Sequence, residues 1–358
     1  MSGGPLPLGA LSLPNPFVQA ALSGYSDAPM RRLAREFGAA YALAEVMLDR
    51  FALEAKGRGR TGHHFQLTND DHPVGGQLMG ADPLQFGPAA LRLVASGFDV
   101  IDINFGCPVK SALGGCRGGY HLGQPQVALE IVSRVREAVP PAIPVTVKMR
   151  RGIDDSPESR DRFYEILAGA FERGIAAATV HGRTVEQKYI GPSRWSFLRE
   201  VKAWAGERCI IGSGDLFTPA DCLRMLRETG VNGVSIARGA IGNPWIFARC
   251  LALWNGDPQP PVPSVREQRE VLERHRALLA ESYGAAPWLS QLRKFSVKYA
   301  RWHPAQTAVR NEFAAVRDVA GWEQVLHRHY SNDAPGFDAD RVPLSPVEEA
   351  ATDCDSGV

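Results

Sequence analysis

Seven short apolar runs in this sequence end in polar or charged side chains: Glu45, Gln77, Asn104 with Cys107, Lys148 with Arg150, His181 with Arg183, Ser213-Gly214-Asp215, and Arg238-Gly239. Cys107 lies in Gly106-Cys107-Pro108, directly after the alternating run Val100 to Asn104. A loose residue before it and a stiff one after it should fix the direction of its sulfur. Three roles are open to such a thiol. It can be a nucleophile, although no neighbour in sequence is an obvious base. It can be an inert buried group. It can also be an acid, because a thiol with a pKa near ~8.5 is mostly protonated at neutral pH. The following glycines, Gly114, Gly115, Gly118 and Gly119, read as a mobile flap that carries a second thiol, Cys116.

Lys148 and His181 end successive runs, and two potential cations side by side suit an anionic, electron-rich ring such as that of a reduced flavin. Gln77 and Asn104 offer amide contacts to a ring edge or a base. The last two runs suggest a phosphate cradle. Gly212, Gly214 and Gly239 let backbone N–H groups approach an anion, and Arg238 can pair with it. Thr218-Pro219 and Asn243-Pro244 then open helices with a cap and a first-position proline. No HExxH, metal triad or Walker loop is present, so no metal is expected and the phosphate is that of a bound cofactor or nucleotide.

These groups need a scaffold that brings strand ends to one rim. Strand-like runs begin at Phe17, Tyr41, Val74, Val100, Val145, Ala177, Cys209 and Gly233, each followed by a helical pattern. Eight strand–helix units of this length predict an α/β fold, a (β/α)8 TIM barrel over residues 17–257. An open doubly wound sheet is the alternative, but Ser23-Gly24-Tyr25-Ser26-Asp27 stands where its GxGxxG would be. A proline-rich linker, Pro258 to Pro263, leads into a smaller helical domain to residue 330. Its basic residues include Arg293, Lys294, Lys298, Arg301 and Arg310, a pattern equally suited to a phosphate-contacting surface or a solvated helix face. Residues 1–16 read as a flexible lead-in and 331–358 as a disordered acidic tail.

The chain has 358 residues and a net charge of +1, so any nucleic-acid contact must rest on local charge. No apolar run approaches the roughly 18 residues that span a bilayer. Its six cysteines form no CxxC pair, which predicts a reducing, cytoplasmic setting. Oligomeric state is not legible, and a monomer is plausible.

The motifs resemble those of the tRNA-dihydrouridine synthases, FMN-dependent enzymes that reduce uridine in tRNA. The carriers are Ala20 to Asp27 with Pro29 and Arg31-Arg32-Leu33, Asp102-Ile103-Asn104-Phe105-Gly106-Cys107-Pro108, Val147-Lys148-Met149-Arg150, Val180-His181-Gly182-Arg183-Thr184, Gly214-Asp215, and Arg238 to Phe247. The resemblance is strong over residues 17–256 and looser to about 330. It implies that Cys107 donates a proton to uracil C5 while hydride passes from FMN to C6, after NADPH (or NADH) has reduced the flavin. It further implies that Gln77, Lys148 and His181 hold the isoalloxazine and that the backbone of Ala21, Leu22 and Ser23 lines it. Ser213, Gly214, Asp215, Ala237 and Arg238 would form the phosphate site. Asn104 and Arg150 would face the target nucleotide, and the helical domain, with Arg293, Lys294 and Lys298, would grip tRNA. Two departures stand out: Ala20-Ala21-Leu22 replaces the family's Ala-Pro-Met, and Ser213 its Asn. The rival readings are a small-molecule FMN oxidoreductase of the dihydroorotate dehydrogenase kind and a non-catalytic RNA-binding protein.

Overall fold

The computed structural model describes residues 4–55, 59–258, 260–284 and 288–341. Its first element is a hairpin, β1 (Leu6–Leu8) and β2 (Leu11–Leu13), turned at Gly9 with a φ of 60° that suits glycine. The parallel strands follow: β3 (Phe17–Gln19), β4 (Tyr41–Leu43), β5 (Met47–Leu48), β6 (Val74–Met79), β7 (Val100–Phe105), β8 (Val145–Arg150), β9 (Ala177–His181), β10 (Cys209–Ser213) and β11 (Gly233–Ile236). β4 pairs with β6, consecutive strands from β6 to β11 pair in order, and β11 returns to β3, so eight strands close a parallel barrel flanked by helices. The two-residue-long β5 adds beside β6.

Side chains alternate along each strand, so every second residue faces the barrel interior. At the N-terminal end these are Val18, Tyr41, Leu43, Val100, Ala177, Cys209 and Ile211, and they form one apolar cluster with Leu6, Leu8 and Leu13 of the hairpin. The expected flexible lead-in is therefore a plug. Leu8 is completely buried. Each such leucine contributes about 1.5–3 kcal/mol of burial, enough to order a short hairpin that has no other partner sheet.

The flanking helices start where local chemistry requires. Thr218 forms a capping box with Asp221 before Pro219–Thr229, and Ser156 caps Pro157–Glu172 by accepting from Ser159 N–H. Beyond the barrel, helices span Val265–Tyr283, Leu289–Tyr299, Gln306–Ala315 and Val319–His329. Asp318 caps the last of these through Gly321 N–H at 2.7 Å. The first C-terminal helix docks on barrel helix Ala28–Glu36 through Arg274–Glu36 at 2.5 Å and Arg32–Glu281 at 2.8 Å. Trp302 and Trp322 are fully buried in this packing.

The expected disordered tail is partly folded. Phe337 N–H donates to Trp302 carbonyl at 2.7 Å, Asp340 pairs with Arg249 at 2.5 Å, and Ala339 is buried. Residues 342–358 lie outside the described residues. No described helix is long and apolar enough to cross a membrane.

Candidate active site

The Gly106-Cys107-Pro108 turn leaves β7 over the C-terminal mouth of the barrel. Asn104 holds it: its Oδ1 accepts from Gly106 N–H at 2.9 Å and Cys107 N–H at 3.0 Å. Arg150 braces it from β8, with Nε donating to Gly106 carbonyl at 2.9 Å and Nη1 to the carbonyls of Thr184 and Lys188. The glycine run is folded rather than a loose flap, with a helix over Lys110–Gly114 and a 3-10 turn over Gly118–Gly123. Gly119 N–H donates to Cys107 carbonyl at 3.0 Å, and a Cβ on Gly118 would stand 2.8 Å from Cys107 Cβ. These glycines permit close approach to the cysteine. Burial pushes the Cys107 thiol above its usual range, against the lowering influence of Val109 N–H, Arg150 and Lys148. The sulfur accordingly carries its proton at neutral pH. Cys116 is exposed, on the outer part of the run.

Lys148 and His181 come from adjacent strands, as expected, but they are not two cations. Burial, reinforced by Arg150, lowers the Lys148 ammonium to about 8. Burial, with Arg150, Lys148, Arg183 and Arg238 around it, holds His181 well below its usual value. At neutral pH the pair is one ammonium beside one neutral imidazole. His181 Nδ1 and Ser193 Oγ are buried with no hydrogen-bond partner among the described residues.

After β10, Gly214 takes a φ of 111° and Asp215 one of 56°. A Cβ on Gly214 would stand 2.3 Å from Ser193 Oγ and 2.9 Å from His181 Nε2, so only glycine lets those two side chains approach the turn this closely. The Asp215 carboxylate is held by Arg183 at 2.7 Å and by Ser193 N–H at 2.7 Å, with Arg238 at 3.5 Å. The Arg238 guanidinium lies 4.9 Å from the ring centre of Phe217 and 5.1 Å from that of Tyr189. Cys107, Asn104, Lys148, Arg150, His181, Gly214, Asp215 and Arg238 line one cavity that opens to solvent.

A family model described as dihydrouridine synthase (Dus) matches residues 18–334. The chain belongs to this family. A probable tRNA-dihydrouridine synthase of Rhodobacter capsulatus is 32% identical over 90% of this chain and 97% of its own. The tRNA-dihydrouridine synthase B of Xanthomonas axonopodis pv. citri is 32% identical over 85% and 89%. Among solved structures, histamine dehydrogenase from Rhizobium sp. 4-9 has a TM-score of 0.54 at 15% identity, covering 76% of this chain and 50% of that one. Morphinone reductase has a TM-score of 0.51 at 16% identity, covering 70% and 90%. At such identities the likeness is one of fold.

Dihydrouridine synthases are FMN oxidoreductases, and the cavity has the features an FMN requires. It offers a cleft open to solvent, a buried imidazole nitrogen with no hydrogen-bond partner among the described residues, and cationic side chains at both Lys148 and Arg238. Its lining brings together Cys107, Ala21, Leu22, Ser23, Gln77, Asn104, Lys148, Arg150, His181, Ser213, Gly214, Asp215, Ala237 and Arg238. Several of these are already engaged. Arg150 Nε and Nη1 donate to carbonyls, and the Asp215 carboxylate is occupied with arginines and Ser193.

Two rim residues turn away from the cavity. Glu45 accepts from Gly24 N–H at 2.9 Å, and Arg183 bonds Gly191 carbonyl and Asp215. Arg293, Lys294 and Lys298 lie outside the cavity on helix Leu289–Tyr299. Arg293 is exposed, but Lys294 donates to Gly24 carbonyl with its ammonium 4.5 Å from the Tyr25 ring centre, and Lys298 packs against Gly242. Sequence reasoning missed Val46, Tyr189 and Phe217 in the lining. Tyr189 and Phe217 sit on loops without strand periodicity, where only the HGRT run and Gly214-Asp215 nearby mark them. Among the described residues no group of three metal-ligating side chains could hold a metal ion.

Proposed function

We propose that this chain is a tRNA-dihydrouridine synthase that reduces the C5–C6 double bond of particular uridines in tRNA, on a (β/α)8 flavoenzyme barrel, with NADPH or NADH as the electron source. The observation that carries the assignment is a thiol kept protonated by burial at the mouth of a cavity whose far walls are cationic. When bound, FMN supplies the hydride that uracil C6 receives. Cys107 Sγ holds the proton destined for C5, and the rigid turn made by Asn104 and Arg150 keeps it facing the cavity. Lys148 and His181 would hold the electron-rich ring, the first as the single formal cation, the second as a neutral donor or acceptor. Gln77 would meet the ring edge, and Ala21, Leu22 and Ser23 would form its backbone wall.

Ser213, Gly214, Ala237 and Arg238 would take the phosphate, with Asp215 orienting Arg238. Asn104 would face the base. Arg150 acts chiefly by bracing the cysteine turn. Val46, Tyr189 and Phe217 would supply apolar and aromatic wall to the cavity they line.

Residues 17–257 form the catalytic unit in this reading, and 258–330 the tRNA-gripping unit. Exposed Arg293 is suited to phosphate contact, while Lys294 and Lys298 fix the helix that presents it. The enzyme would work in the cytoplasm, where tRNA is modified.

The test is position-resolved mapping of dihydrouridine in tRNA from cells with and without the protein. Loss at one or more positions is expected, and no lost position would overturn the assignment. Turnover of a free pyrimidine as fast as tRNA would favour a small-molecule oxidoreductase.

A further inference from the structure

Asp102 lies on β7 two residues before Asn104, below the cavity floor and almost wholly buried. Its Oδ1 accepts from Thr146 Oγ1 at 2.5 Å and its Oδ2 from Gln77 Nε2 at 2.7 Å. Gln77 Oε1 then accepts from Asn104 Nδ2 at 2.8 Å, which leaves Asn104 Oδ1 for the N–H groups of Gly106 and Cys107. An ionised carboxylate only accepts, whereas a primary amide has one donating and one accepting end.

We propose that Asp102 is a positioning residue for Cys107: its carboxylate sets the direction of both amides, and thereby presents an oxygen to the cysteine turn. This rests on the reading of Cys107 as the proton donor, and deepens it.

With an acceptor at position 102, Gln77 must turn its NH2 inward and its oxygen toward Asn104. Asn104 must then turn its NH2 toward Gln77 and its oxygen toward the turn. Were Asn104 reversed, its NH2 would oppose two backbone N–H groups at about 3 Å, donor against donor. Arg150 and Gly119 hold the turn by its carbonyls; among the described residues no other side chain bonds its two N–H groups, so that side of the turn depends on a carboxylate three links away. Burial raises the Asp102 pKa, against the lowering influence of the Thr146 and Gln77 donors and of Lys148 nearby.

The polarity can be rebuilt with the charge moved. Asp102→Asn releases the constraint. Adding Gln77→Glu restores it, because Asn at 102 can donate to a carboxylate at 77, which still accepts from Asn104. The experiment compares wild type, D102N and D102N/Q77E as FMN-loaded holoenzymes. It follows iodoacetamide alkylation of Cys107 across pH by peptide mass spectrometry, alongside single-turnover reduction of tRNA. D102N is expected to shift the Cys107 alkylation profile and slow tRNA reduction at least tenfold, with the NADPH-driven half-reaction and tRNA KM little changed. The double variant is expected to return the alkylation profile toward wild type, or to restore folding should D102N alone not fold. A D102N profile that matches wild type would overturn the proposal. So would a double variant no better than D102N in folding yield and profile. Wild-type protein that alkylates as expected yet fails to reduce tRNA would instead overturn the functional reading.

Discussion

The two ends of the barrel are built from the same strands and differ in what their inward residues must do. At the N-terminal end Val18, Tyr41, Val100, Ala177 and Ile211 meet a leucine hairpin in one apolar cluster. At the C-terminal end the same strands carry Gln77, Asn104, Lys148, His181 and Ser213 into an open cavity. The first end is stabilised by burial alone. The second keeps polar groups out of water at a cost, which it offsets by pairing them in chains such as Asp102–Gln77–Asn104, and it leaves His181 Nδ1 for a ligand. Stability and chemistry are thus separated by about half a strand length.

Substitutions at either end should break this division differently. The largest effect expected is at the mouth: Cys107→Ala should lower single-turnover tRNA reduction by about 10²–10⁴-fold, the usual worth of a positioned acid, with FMN content and melting temperature retained. Full activity on flavin-charged enzyme would remove Cys107 from the mechanism. At the other end Leu8→Ala should cost about 2–5 kcal/mol in urea unfolding, while turnover per folded molecule is unchanged. A smaller effect is expected with pH. Burial lowers Lys148 to about 8, so below that pH the proposed FMN contact would be made by the charged form. Above it, apoenzyme affinity for FMN should fall by up to about tenfold per pH unit, since binding must then return the proton. Flavin fluorescence titrations would show this decline, and Lys148→Met should flatten it. Smallest of all, Cys116→Ser should leave steady-state turnover unchanged, because that thiol is exposed and outside the cavity lining.

Much of the mouth was legible in the sequence. Gln77, Asn104, Cys107, Lys148 and His181 line the cavity, because strand ends and Gly-Cys-Pro turns are local features with fixed periodicity, whereas Ala21, Leu22 and Ser23 were marked by the family resemblance alone. The residues expected to grip RNA fared differently. Charge spacing marked Lys294, yet it is drawn onto Gly24 and Tyr25 by the docking of two chain segments far apart in sequence. The N-terminal lead-in was misjudged for a related reason. Leu6, Leu8, Leu11 and Leu13 alternate, but only the open apolar end of the barrel gives them something to bury against.

The sequence by itself determined the order of strands and helices, the thiol at the end of β7, and the set of polar groups delivered to one rim. These follow from period-two patterning, turn chemistry and helix caps, which act within a few residues. Only the tertiary structure decided the states of those groups: His181 neutral rather than cationic, Arg150 committed to bracing, Asp215 holding arginines, and Asp102 directing two amides toward the cysteine turn. Protonation and hydrogen-bond polarity are set by burial and by neighbours brought from distant strands, and those sums exist only once the barrel is closed.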